Sequence, residues 1–240
     1  MDIRQRAVPF GRTVQSGASF DEGLRQHMLR IYNYMGLGLA LTGVVALAVA
    51  STPALYGPIL GSPLRWVVML APLAFVLVLS FGVQRLSAGT VQLLFWAFCA
   101  AMGLSMASIF LVFTGTSIAR TFFITASLFG VMSLYGYTTH RDLTAFGSFL
   151  FMGLIGLVLA SVVNLFIGST ALQFAVSVIG VLVFTGLTAY DTQALKNAYA
   201  EGADDASVQK LAVMGALSLY LNFINLFQLL LQLTGQRNEE

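Results

Sequence analysis

Five polar side chains recur along the last apolar stretch of this chain: Ser218, Asn222, Asn225, Gln228 and Gln232, spaced by four, three, three and four residues. On a helix they share an arc of about 120° at 3.6 residues per turn, so they form one stripe that faces protein or water and not lipid. Such amides either join helices, for about 0.6–2 kcal/mol each, or line a path for water and ions. The ionisable counterpart is Asp191, in Gly186-Leu187-Thr188-Ala189-Tyr190-Asp191-Thr192-Gln193, which continues an apolar helix without a turn signal. An ionisable group inside a membrane helix marks a functional site that faces the bundle interior or a water-filled cavity. Thr185, Thr188 and Thr192 extend a polar face near it. Two readings stand side by side: a carboxylate that serves an ion or a proton, and one that neutralises Lys196 or another cation at the helix end.

Enzymatic chemistry lacks candidates. There is no H-E-x-x-H, no Ser-His-Asp order, no paired G-x-G-D aspartates and no phosphate-cradling loop, so the chain reads as a non-enzyme without a cofactor. His27 and His140 lie in different segments without metal-ligand spacing, and Cys99 is the only cysteine, which excludes an intrachain disulfide.

The elements that position these residues follow from composition. Of 240 residues, 58% are hydrophobic and 9% charged, against roughly a quarter charged in soluble domains, so the solvent is a bilayer. A net charge of +2 without a basic stripe disfavours nucleic acid. The uncharged runs are 31–64, 66–84, 86–119, 121–139, 143–190 and 211–236. A span takes about 20 residues, so 143–190 holds two, joined at Gly168-Ser169-Thr170. Pro53, Pro58 and Pro63 with Gly57 and Gly61 turn the segment after Ala50 into a loop. Seven helices result, at roughly 29–50, 64–84, 91–113, 118–139, 144–166, 171–195 and 210–234, within ~2–4 residues. The chain thus divides into a polar, disordered, cytoplasmic tail (1–28), one all-α seven-helix domain (29–235) and a short C-terminal tail (236–240). Asp142 caps the fifth span, and Gly130, Ser133 and Gly136 on the fourth and Gly153, Gly156, Ala160 and Asn164 on the fifth are close-packing surfaces. With the N-terminus inside, nine basic residues fall in and three (Arg65, Arg120, Arg237) fall out, which favours a cytoplasmic N-terminus and an outer C-terminus.

Three segments carry a resemblance: Met132-Ser133-Leu134-Tyr135-Gly136-Tyr137-Thr138-Thr139 with Arg141-Asp142-Leu143; Phe184 to Gln193; and Gly215-Ala216-Leu217-Ser218-Leu219-Tyr220-Leu221-Asn222-Phe223-Ile224-Asn225-Leu226-Phe227. The chain resembles the Bax inhibitor-1 family, also called the transmembrane Bax inhibitor motif family, and is most similar to its bacterial inner-membrane branch. The resemblance runs from about Arg25 to Gly235 and is specific in the last three helices. It implies a last helix surrounded by six, and a calcium-permeable leak whose opening depends on pH. It also implies two facing aspartates, in the sixth and seventh spans, with a basic latch from the second. The first aspartate maps onto Asp191, the second onto Asn222, and Arg85 is the basic candidate for the latch.

Asn222 is a departure from that pattern. Two close carboxylates share a proton and sense pH; with an amide in place of one of them the like-charge repulsion is gone. Calcium prefers several anionic oxygens, so Asp191 alone makes a weak site. The expectation is a cation leak in which Asp191 attracts the ion, Asn222 and Asn225 line or latch the path, Ser218 and Thr188 add polar lining, and Arg85 competes for Asp191. The alternative is a non-conducting regulator that binds a membrane protease or stress-response partner, with the loop 201–210 as its docking surface.

Overall fold

The computed structural model describes residues 10–200 and 204–238. It comprises eight helices among these residues: α1 (Phe10–Ala50), α2 (Pro53–Leu60), α3 (Leu64–Gly82), α4 (Ala88–Val112), α5 (Gly115–Thr138), α6 (Thr144–Ile167), α7 (Thr170–Asn197) and α8 (Asp205–Thr234). Seven are long and apolar enough to cross a membrane, α1 from Asp21 onward and α3 to α8. The seven expected spans correspond to these one for one. The residues that face outward are those a bilayer accepts: Phe81, Leu165 and Phe166 each expose more than four-fifths of their surface.

Helix ends are set by local chemistry. Ser87, Thr114, Ser169 and Asp204 each accept a hydrogen bond from the backbone N–H three residues on, which satisfies a donor the helix leaves free. Gly168, at φ 67°, closes α6 in the left-handed region that glycine enters without a Cβ penalty. Two segments differ from the sequence reading. The expected loop after Ala50 contains α2, because Pro53 takes the first helical position, where its missing N–H costs nothing. Helix α1 starts at Phe10, so residues 10–28 extend the first helix instead of forming a separate tail. They contain no proline, and extending an existing helix requires no new nucleus. Residues 1–9 of that tail lie outside the described residues.

The core gathers on α8, whose principal neighbours are α1, α4, α5 and α7; α3 docks mainly on α4, and α6 on α7. The face of α8 opposite its polar stripe is aromatic and buried. Tyr220 packs edge-on against Phe95 and Phe98, and Phe223 against Phe122 and Phe129. The Tyr220 hydroxyl meets that of Thr42 at 2.7 Å, and Thr42 donates to the carbonyl of Cys99 at 2.9 Å, so the one polar atom of this face is satisfied across three helices. At the far end the C-terminal segment folds back: the N–H of Thr114 donates to the carbonyl of Gln236, and that of Asn238 to Val112.

Candidate functional site around Asp191

Asp191 sits in the last third of α7, where that helix packs on α8, and α8 brings Ser218 and Asn222 opposite it one helical turn apart. Ser218 Oγ donates to Asp191 Oδ2 at 2.6 Å, and Asn222 Nδ2 donates to the same oxygen at 2.8 Å. Oδ1 accepts no hydrogen bond from a described residue. The carboxylate borders a cavity of about 600 Å³ between α6, α7 and α8, whose walls include Ser148, Tyr190 and Asn225. That volume is ample for several waters, each about 30 Å³. One carboxylate oxygen is therefore held by two neutral donors and the other by none among the described residues.

The residues expected around Asp191 divide into three groups. Ser218 and Asn222 touch it. Asn225 lies further along the same cavity, with its amide donating to the carbonyl of Leu221 at 2.8 Å. Thr188 and Arg85 are elsewhere. The Thr188 hydroxyl is buried and turned back onto the carbonyl of Phe184 at 2.8 Å, so it lines no path. Arg85 lies exposed in the turn after α3, and the single ion pair among the described residues is Arg25–Glu22. Nor does Lys196 neutralise Asp191: its Nζ donates to the carbonyl of Tyr137 at 2.7 Å and lies over that ring. Among the described residues no group of three or more His, Cys, Asp or Glu side chains converges as a metal site.

The α8 stripe divides in the same way. Gln232 is tied to α7, accepting from Gln173 Nε2 at 2.6 Å and Ser177 Oγ at 3.2 Å. Between its two bonded ends, Asn225 and Gln228 face space. Both line a cavity of about 310 Å³ under α6 and another of about 700 Å³ between α3, α4 and α8. Hydrogen bonding between helices and lining of cavities thus both occur, at different positions of one stripe.

Gln193, which the sequence did not single out, positions the site, and Thr192 and Ser133 do so through contacts that the sequence did not show. Gln193 takes the N–H of Leu143 on its Oε1 at 2.9 Å and gives its Nε2 to the carbonyl of Arg141 at 2.8 Å, which fixes the start of α6 to α7 beside Asp191. Thr192 bonds Ser133, which meets Tyr32, so three hydroxyls link α7, α5 and α1 behind the carboxylate. The only sequence signal at Gln193 was its nearness to Asp191. The cap position of α6 is Leu143, not Asp142; Asp142, one residue before it, still holds the helix start by accepting the Thr144 hydroxyl at 2.6 Å and its N–H at 2.9 Å, and these bonds hold its carboxyl below the ordinary aspartate range.

Seven spans, no strand among the described residues and a lone carboxylate held in the bundle define an all-helical integral membrane protein. The family model described as inhibitor of apoptosis-promoting Bax1 matches residues 24–239, and the chain belongs to this Bax inhibitor-1 family. It is 49% identical over 218 residues to the inner membrane protein YbhL of Escherichia coli K12, covering 90% of this chain and 93% of that one. It is 49% identical over 227 residues to the protein RP147 of Rickettsia prowazekii, covering 95% and 96%. A membrane protein of Streptococcus pyogenes, SpyM3_0260, is 34% identical over 221 residues, covering 91% and 96%.

Proposed function

We propose that this protein is a calcium-permeable cation leak of the bacterial inner membrane, with its N-terminus in the cytoplasm, in which Asp191 is the ion-attracting group. The observation that carries the reading is a half-buried carboxylate, one oxygen of which accepts no hydrogen bond from a described residue, bordering a cavity whose wall continues into the amides of α8. A cation gives up part of its water shell there to one anionic oxygen and to neutral oxygens such as that of Asn225. The single charge makes this a weak calcium site, as a leak requires: binding favourable enough to enter and weak enough to leave. Protonation of Asp191 removes the attraction, so conduction depends on pH, less steeply than with two carboxylates. The chemistry is that of a conduit, not an enzyme, and calcium is its cargo. Liposomes that contain the protein and a calcium dye test this. Flux above empty vesicles, abolished by Asp191→Asn, is expected; no flux anywhere between about pH 5 and 8 overturns it.

A second reading is supported by Asn222 standing where the family resemblance implies an acid. If that change has cost the route its ion, the protein is a non-conducting regulator of a membrane protease or stress-response partner. Crosslinking and mass spectrometry separate the two, since measurable flux without a stoichiometric partner rejects the regulator.

A further inference from the structure

The cavity beside Asp191 and the smaller one under α6 share Leu154, Val158, Phe184 and Asn225 in their walls, so they adjoin along the α6–α7–α8 seam. Together they follow α8 from Asn222 to Gln232, ten residues or about 15 Å at 1.5 Å per residue. At that end three amides tie three helices in series. Asn164 of α6 donates to Gln173 Oε1 of α7 at 3.1 Å, and Gln173 Nε2 donates to Gln232 Oε1 of α8 at 2.6 Å. Gln232 lines the smaller cavity and is itself exposed, so the chain of amides stands between the seam and the outside. The wall it fastens is held from one side: α6 docks mainly on α7, and its last turns expose Leu165 and Phe166.

We propose that the Asn164–Gln173–Gln232 chain is the gate by which water and hydrated cations enter this seam from the C-terminal side. The inference rests on the cation route past Asp191 and adds a second constriction to it. With the amides joined, the carbonyl oxygens of Gln173 and Gln232 are occupied by N–H donors and the seam is shut. Parted, the same oxygens are free to replace waters around a passing cation, as neutral carbonyl ligands do. No charged group takes part, so this gate is insensitive to the protonation of Asp191.

The test places a cysteine at Leu154, which borders both seam cavities and is absent from the walls of the α3–α4 cavity. A positively charged, membrane-impermeant methanethiosulfonate is added on the C-terminal side of sealed vesicles, with the parent protein, whose Cys99 is buried, as the blank. Gln232→Leu and Gln173→Leu are each expected to raise the labelling rate of Leu154→Cys at least tenfold. Gln92→Leu, which breaks the Gln209–Gln92 amide pair at the opposite end of the bundle, is expected to leave it unchanged. Equal rates with and without the amides, or equal acceleration by Gln92→Leu, overturn the gate. Calcium flux distinguishes this failure from failure of the route. Flux through the wild type with unchanged labelling rejects the gate and keeps the route; accelerated labelling without flux at any pH supports the gate and rejects only the cation route.

Discussion

Asn222 donates to the same oxygen of Asp191 that Ser218 occupies, at 2.8 Å, and so leaves the second oxygen of this cavity-lining carboxylate without a hydrogen bond from a described residue. An amide has two faces, one donor and one acceptor, and the donor is the one α8 presents. The bonding partner of the only acid in the last two-thirds of α7 is therefore neutral, and the charge of the site is at most that of one carboxylate.

Asn222→Asp restores a second acid at hydrogen-bonding distance. Two carboxylates this close cannot both ionise cheaply and hold one proton between them. Calcium flux through the variant is expected to vary more steeply with pH than the wild type, and to be inhibited by lower concentrations of competing divalent cations. An unchanged pH profile would show that the pairing geometry does not set the proton response.

Outside the membrane the sign of a pH effect follows from Asp142. Its bonds to the hydroxyl and then the N–H of Thr144 hold its carboxyl below the usual value of about 3.9, so it binds a proton less readily folded than unfolded. The stability it contributes is complete above that value and is lost as pH falls through the lower, folded one. In detergent, the wild type is expected to melt above Asp142→Ala by a constant margin from about pH 5 to 8, and the margin should shrink below about pH 4. A margin that widens on acidification contradicts the role of these bonds at the start of α6.

The seven spans were legible in the sequence because a bilayer imposes one-dimensional rules: length, absence of charge, and turn residues between runs. Asp191, Ser218 and Asn222 were legible because polar groups at helical spacing in such runs are few. Thr188 was placed wrongly on the same evidence, since a wheel gives the face of a side chain and not its rotamer. A threonine in a helix satisfies itself on the carbonyl four residues back, as Thr188 does on Phe184. Arg85 entered through a family pattern, and nothing local to residues 83–86 said that the turn would hold it at the surface. Gln193 and Gln173 were illegible for a different reason: their partners lie in other helices, and only packing brings Arg141, Leu143 and Gln232 to them.

Gln193→Leu keeps the volume and removes both bonds to the α5–α6 connection. The N–H of Leu143, a buried residue, loses its acceptor, which costs about 1–3 kcal/mol. The melting temperature should fall, and Gln193→Glu, which retains the acceptor for Leu143 but not the donor to Arg141, should fall between the two. Equal loss in both variants would locate the stabilisation in the Arg141 contact instead.

Gly136 and Gly130 occupy the same helix, but alanine should destabilise the protein at the first and be nearly neutral at the second. A Cβ at Gly136 would stand 2.1 Å from the carbonyl oxygen of Ala189 and 2.9 Å from its Cα, which are backbone atoms of α7 and cannot rotate away. The helices must separate instead, at a cost of about 1–3 kcal/mol for overpacking. Ala189 lies two residues before Asp191, so the shift also draws the carboxylate away from Ser218 and Asn222. At Gly130 a Cβ meets nothing within 4 Å, so Gly130→Ala should change stability by no more than about 0.5 kcal/mol and leave flux intact. Thermal melting in detergent and calcium flux in liposomes are both needed. A stable Gly136→Ala protein with wild-type flux would mean that α5 and α7 do not meet as closely as their backbones indicate, and that the position of Asp191 does not depend on their contact.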